Sequence, residues 1–297
     1  MKNGFVPALG TPLNQDGELL HQSLEKQIDD QIRAGAVGLL CMGSMGIQET
    51  IRQDVYPIVA ETAVVAAAGR VPVFVGAMDT SIARAHQRIE QLEPLAVDGL
   101  VFTAPYYSPC TANQMINYFK GVAASTKHRI LLYDLPSVTQ SKITYDMVLT
   151  LIHEIPNLAG IKSADLQMFR KLKLNPDVPK NFIMVYSGLD TFDIAYKWGI
   201  GNCLDGMLSC TPVNAGAMFR AMQQNDFSAA AACLNNIILL RDTFVKCDLW
   251  PSYTTAMNLL GYDGNFGPDY VDSISKERSE EIRGCMKKIG EIPEAQQ

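Results

Sequence analysis

The chain has 297 residues, of which 47% are hydrophobic and 19% charged, a balance that excludes a disordered or collagen-like polymer and leaves enough apolar matter for a substantial core. Lysine and arginine (25) are outnumbered by aspartate and glutamate (31), so the net charge is −6 and no basic field exists to hold a nucleic-acid backbone. The seven cysteines, at 41, 110, 203, 210, 233, 247 and 285, form no CxxC pair and read as buried small hydrophobes in a reducing compartment, not as a disulfide framework.

In chain order, the N-terminal Met1-Lys2-Asn3-Gly4-Phe5-Val6-Pro7 carries one positive charge and no apolar segment of the secretory type. No run of about 20 residues is uniformly apolar, so the expectation is a soluble cytoplasmic protein without a membrane span. Short, mostly apolar runs bounded by Gly, Pro, Asn or Asp then recur at Phe5–Leu9, Val37–Met42, Val71–Val75, Gly99–Thr103, Ile130–Tyr133, Leu158–Lys162, Phe182–Ser187 and Cys203–Ser209. Such runs suit strands covered on both faces. Between them lie helical patterns, among them Asp54–Gly69, Thr80–Leu95 with Ser81 or Thr80 as its cap, and Thr111–Ser125. Eight strands, each followed by a helix, favour a (β/α)8 TIM barrel over a doubly wound open sheet, since no glycine-rich turn follows the first strand. After about residue 212 the alternation stops, and Ala217–Gln223, Ser228–Val245, Ser252–Leu260 and Lys276–Ile289 all read as helix. The expected organisation is a barrel over residues 1–225 with a C-terminal helical extension, 226–297, packed on it.

In such a barrel the chemistry sits at the C-terminal ends of the strands. Lys162 ends the apolar run Leu158-Ala159-Gly160-Ile161, and burial there would disfavour its ammonium and expose an amine able to attack a carbonyl. A lysine snorkelling to solvent or paired with Asp165 would serve no chemistry. Tyr133 ends the preceding strand, where a phenol could shuttle protons for an amine-derived intermediate; an aromatic that merely fills the top barrel layer is the structural alternative. Gly43-Ser44-Met45-Gly46 offers backbone N–H groups at a strand end that could bind a carboxylate. It is no hydrolase nucleophile elbow, because Met42 stands where the first glycine is needed. The four histidines, His21, His86, His128 and His153, show no metal spacing, so no metal is expected.

These residues, in this order, resemble the dihydrodipicolinate synthase / N-acetylneuraminate lyase family. The likeness runs through Val6-Pro7-Ala8-Leu9-Gly10-Thr11-Pro12, Gly43-Ser44-Met45-Gly46, Pro105-Tyr106-Tyr107, Tyr133-Asp134-Leu135-Pro136, Gly160-Ile161-Lys162-Ser163, Ser187-Gly188-Leu189-Asp190 and Asp205-Gly206-Met207-Leu208-Ser209. The resemblance implies a homotetrameric barrel enzyme acting on pyruvate or another 2-keto acid, with no metal or organic cofactor beyond a covalent Schiff base on lysine. It makes Lys162 the Schiff-base residue and Tyr133 the proton donor and acceptor. It makes Ser44, Met45, Tyr107, Gly188, Asp190 and Leu208 substrate contacts, with Tyr107 matching a tyrosine of a hydroxyl relay across a subunit interface.

Five departures bear on substrate and turnover. Met45 stands where the family usually has a second hydroxyl residue, Ile47 where it has an acid, and Asp134 where it has an asparagine. Val138 occupies the place of the arginine by which dihydrodipicolinate synthases bind a carboxylate, and Asp190 is followed by Thr191 instead of completing the acidic pair of the neuraminate lyases. The expectation is therefore a Schiff-base lyase or aldolase on a 2-keto acid, such as a 2-keto-3-deoxy sugar acid. Dehydration through the same enamine, or a keto-acid-binding barrel without turnover, are the alternatives.

Overall fold

A computed structural model describes residues 1–294. Eight strands run in parallel: β1 (Gly4–Pro7), β2 (Leu39–Cys41), β3 (Val73–Gly76), β4 (Gly99–Thr103), β5 (Ile130–Tyr133), β6 (Leu158–Ser163), β7 (Ile183–Tyr186) and β8 (Asn202–Asp205). They form one sheet in the order β1-β8-β7-β6-β5-β4-β3-β2. The ends of this sheet meet through the bridge Ala8↔Leu40 and the bonds Val37 N–H to Phe5 O (3.0 Å) and Leu9 N–H to Leu40 O (2.9 Å), which bring the barrel close to closure. The seams differ in quality. β5 and β6 pair along their length, from Ile130↔Leu158 to Tyr133↔Lys162, whereas β7 and β8 pair only at Tyr186↔Cys203.

Alternation along each strand divides its side chains between two cores. Val6, Leu40, Phe74, Val101, Leu131, Val185 and Leu204 fill the barrel's interior, while Phe5, Leu39, Val75, Phe102, Leu132 and Ile161 face the surrounding helices. Those helices are α1 (His21–Ala34), α2 (Tyr56–Ala67), α3 (Ile82–Leu92), α4 (Ala112–Ala123), α5 (Pro136–Thr139), α6 (Tyr145–Glu154), α7 (Leu166–Leu174), α8 (Phe192–Lys197), α9 (Met207–Cys210) and α10 (Pro212–Gln223). Their starts follow local chemistry. The Ser81 hydroxyl accepts the Arg84 N–H, and Thr111 with Gln114 forms a full capping box.

Three more helices, α11 (Phe227–Cys247), α12 (Leu249–Leu259) and α13 (Lys276–Lys288), form the C-terminal extension. Glu291 anchors its end by accepting the N–H groups of Val213 (3.1 Å) and Asn214 (2.8 Å) at the start of α10. Among the described residues no helix is long and apolar enough to cross a membrane. Nor do any three side chains of metal-binding type cluster among them. The cysteines are unbridged, and burial pushes the Cys41 thiol up to about 12.

The eighth strand departs from expectation: it ends at Asp205, and Met207–Cys210 turns as α9. Its apolar run is fully buried, and a short buried run of this kind does not betray its period.

Candidate active site

Tyr133, the last residue of β5, and Lys162, the last but one of β6, are register partners on adjacent strands, with Tyr133 in the interior cluster and Ile161 beside Lys162 facing the helices. The Lys162 Nζ lies 3.6 Å from the centroid of the Tyr133 ring. The two residues are 7% and 5% exposed respectively, so the amine and the phenol share one water-poor space. The backbone holds the pair as well, since the Asp134 N–H donates to the Lys162 carbonyl at 2.9 Å. Asp165 does not pair with Lys162; its carboxylate is 3.1 Å from Lys142 Nζ.

Behind the pair lies a charged network. The buried Asp134 carboxylate accepts the Ser163 hydroxyl at 2.7 Å, the Ile143 N–H at 3.0 Å and the Lys142 ammonium. Burial alone would raise the Asp165 carboxyl, but the Met168 N–H and Lys142 outweigh it and hold the group below the ordinary range. Lys142 is correspondingly pushed up: desolvation opposes its charge, but both carboxylates favour it. Asp134 in place of asparagine therefore comes with a cation of its own, eight residues along the chain.

The Gly43–Gly46 segment leaves β2 as a turn of 3-10 helix over Ser44–Gly46. Gly46 N–H closes on Gly43 O (3.0 Å) and Ile47 N–H on Ser44 O (3.1 Å), which leaves the Ser44 and Met45 amides, at the turn's start, as the groups it can offer a carboxylate. A Cβ at Gly46 would stand 2.9 Å from the Leu9 carbonyl, so the close approach requires glycine. Met42 (φ 52°) and Ile47 (φ 47°) flank the turn in the left-handed region, which is strained for the β-branched Ile47. The Met45 side chain lies over Gly206 at the end of β8, where an added Cβ would come within 2.6 Å of its Cγ.

A cavity of about 170 Å³ opens beside the Lys162–Tyr133 pair, reaching from Ser44 past Thr103 and Tyr106 to Val138 and Trp250. Neither Lys162 nor Tyr133 lines it; Thr103 does, as the register partner of Tyr133 on the other side. Below the cavity Arg88, fully buried, sits 3.2 Å from Asp79, bonds Gln48 and the Met78 carbonyl, and lies 4.7 Å over the Tyr56 ring.

The structure thus gathers Ser44, Met45, Tyr133 and Lys162 around the barrel mouth. It distributes the other expected contacts differently. Gly188 and Asp190 do not line the cavity, and the Asp190 carboxylate is held by both terminal nitrogens of Arg241 (2.6 and 2.8 Å), tying α11 to the loop after β7. Asp190, expected as a substrate contact, therefore has its carboxylate engaged by Arg241. Leu208 is wholly buried within α9. Tyr107 is 92% exposed, with φ 86°. Sequence reasoning missed Thr103, Glu49 and Trp250. Thr103 was open to detection, since it ends β4 as Tyr133 ends β5; Trp250 comes from the extension, and no local signal sends it to the mouth.

Comparison with known proteins places these features in context. The model of the Dihydrodipicolinate synthetase family matches residues 1–288. A 4-hydroxy-tetrahydrodipicolinate synthase of Nitrosospira multiformis is 30% identical over 294 residues, covering 97% of this chain and 95% of its own. Among solved structures, dihydrodipicolinate synthase from Thermotoga maritima superposes with a TM-score of 0.88 at 20% identity over 98% of this chain and 100% of its own. YagE, a prophage protein from E. coli K12 solved in complex with pyruvate, gives 0.86 at 21% over 98% and 99%. At these identities the two structures share the fold with this chain.

Proposed function

The chain belongs to the dihydrodipicolinate synthetase family, whose members are pyruvate-dependent lyases of the aldolase type, and from that premise we propose that it makes or cleaves a carbon–carbon bond next to a 2-keto group through a Schiff base on Lys162. The observation that carries this reading is the buried Lys162 amine stacked 3.6 Å from the ring of Tyr133. A neutral amine attacks the keto carbon and water leaves, giving an imine whose positive charge draws electrons from the neighbouring carbon. Tyr133, on the adjacent strand, moves the protons of addition and dehydration. The Ser44 and Met45 amides hold the keto-acid carboxylate. Pyruvate, the ligand in the YagE structure, is the simplest such acid.

The activity named for the relatives is less well supported here. Val138 offers no charge to a second carboxylate, and a charge-assisted hydrogen bond of that kind typically contributes ~1.5–3 kcal/mol. A 2-keto-3-deoxy sugar acid finds few partners either, because Thr139 bonds the Leu135 and Ser141 carbonyls and Gln48 is taken by Arg88. Association of copies, as a homotetramer, is supported by Tyr107, whose backbone is strained and whose ring is bare among the described residues; sedimentation would report it.

Incubation with pyruvate and borohydride should trap a covalent adduct on Lys162, located by peptide mass spectrometry, and Lys162→Arg should give none. Bound pyruvate with an unmodified Lys162 would overturn the reading. Met45 supports a second one, a keto-acid-binding barrel without turnover, since its thioether supplies no hydroxyl beside the turn. Calorimetric binding of pyruvate without turnover on any keto acid would favour it.

A further inference from the structure

Resting on the Schiff-base reading above, we propose that the cavity beside Thr103 receives the carbonyl partner of the pyruvate enamine and selects an aldehyde with an uncharged, apolar body, whose oxygen is bound by the Thr103 hydroxyl. Three observations lead there. First, the Thr103 Oγ1 is buried and has no hydrogen-bond partner, although the residue lines the cavity. Buried hydroxyls are rarely left unsatisfied, and an orphan at a cavity wall points to a partner that arrives from outside the chain. Its register places it beside Tyr133, on the flank away from Lys162.

Second, the cavity's walls are apolar where a ligand's body would rest. Met78, Leu135, Val138 and Trp250 supply them. Third, its electrostatics disfavour an anion. Among the described residues Glu49 is the one charged side chain in the lining, an exposed residue whose carboxyl is nonetheless raised by partial burial. Lys162 is committed to the imine, and the buried Arg88 is engaged by Asp79, Gln48 and the Met78 carbonyl. A carboxylate-bearing aldehyde would enter against Glu49 and meet no free cation. A polyhydroxylated one would find partners in Ser44, Glu49, Thr103 and Tyr106 alone, since Gln48 and Thr139 are engaged within the chain, and would lay its remaining hydroxyls on apolar walls.

The step balances within this site. Loss of a proton from the carbon next to the imine gives the enamine, and that carbon bonds to the aldehyde carbon. The aldehyde oxygen takes the proton back by way of Tyr133 and becomes a hydroxyl bonded to Thr103. Water then hydrolyses the imine, restoring the Lys162 amine and releasing a 4-hydroxy-2-keto acid. Cleavage runs the same steps in reverse.

The test is a panel of benzaldehyde, isobutyraldehyde, glyceraldehyde and glyoxylate, each with pyruvate and the full chain, scored by mass spectrometry of the 4-hydroxy-2-keto acid. The kcat/KM for the two apolar aldehydes should exceed that for the other two at least tenfold. Thr103→Val should lower kcat/KM for the apolar aldehydes about tenfold, the scale of one lost hydrogen bond, while borohydride trapping of pyruvate stays unchanged. Its thermal midpoint should hold or rise, since removing an unsatisfied buried hydroxyl leaves nothing unpaired. Thr103→Ser should restore much of the lost rate. Preference for glyceraldehyde or glyoxylate, in a protein whose Lys162 is trapped by pyruvate, would overturn the inference alone. A fall in the midpoint of Thr103→Val without a kinetic change would do so too, by assigning the hydroxyl a structural role. Absence of trapping would remove the Schiff-base reading and this inference together.

Discussion

Replacing Asp134 by alanine should destabilise the protein more than any other single change in the polar shell behind Lys162. The carboxylate has three donors: the Ser163 hydroxyl at 2.7 Å, the Ile143 N–H at 3.0 Å and the Lys142 ammonium. Ser163 and Ile143 are buried, and an orphaned buried donor costs about 1–3 kcal/mol. Lys142 adds less, because its side chain is 39% exposed and keeps Asp165 as a partner at 3.1 Å. The total comes to about 3–5 kcal/mol, the range for breaking a buried charge pair from one side. Asp134→Asn keeps one acceptor but turns an amide N–H group toward one of the donors, so about half that loss is expected. Urea titrations at constant slope would measure both. Borohydride trapping on the same samples would show whether Lys162, whose carbonyl accepts the Asp134 N–H and whose neighbour is Ser163, keeps its position. A loss below about 1 kcal/mol in Asp134→Ala would refute the reasoning, since it would mean that water serves all three donors.

Tyr133→Phe keeps the ring against the Lys162 amine and removes only the hydroxyl, so turnover should fall about 10²–10⁴-fold while the thermal midpoint moves little; equal kcat values would dismiss the phenol as a proton carrier. Gly46→Ala would press a Cβ to 2.9 Å from the Leu9 carbonyl, and the KM for pyruvate should rise as the turn shifts, with an unchanged KM showing that the turn does not hold the carboxylate. Acid should weaken the fold through Asp165 and Asp79, each held below the ordinary carboxylate range against the opposing effect of burial. A carboxyl with a depressed folded value stabilises fully above its unfolded value, about 3.9, and loses that contribution as pH falls through the folded one. Urea midpoints should therefore drop between about pH 5 and 2, and Lys142→Met should flatten part of the drop. A profile that stays level through that window would contradict the assignment.

Much of the barrel is legible in the residues because its strands are bounded by local chemistry. β4 and β5 match their expected limits to the residue: Asp98 precedes the first, and the second gives way at Asp134 and Pro136, where a chain cannot simply continue. The Thr111–Gln114 box sets the start of α4 for the same reason. The end of β8 was not legible, since Met207-Leu208-Ser209-Cys210 is buried on all sides and carries no period. The site divides along similar lines. Lys162 and Tyr133 fall at strand ends and so can be placed from the sequence, whereas the Lys142–Asp134 pair spans a helix and the Trp250 wall depends on how the extension docks. The bond between Asp190 and Arg241 was not legible either, because the two lie 51 residues apart and the sequence does not specify how α11 is oriented.

The uneven stitching of the barrel divides the mouth into two mechanical parts. Thr103, Tyr133 and Lys162 sit side by side on staves paired without a break over their last three residues, so their spacing behaves as a fixed jaw. The Ser44 turn rides on β2, whose outer edge is joined to β1 by one bridge and a few bonds. Thermal breathing will open that edge and the thin β7–β8 seam before the others, because a seam with few bonds has least to lose. A keto acid gripped at both ends would therefore act as a clasp, drawing the looser stave onto the rigid ones while its own carbonyl stays where the amine already waits.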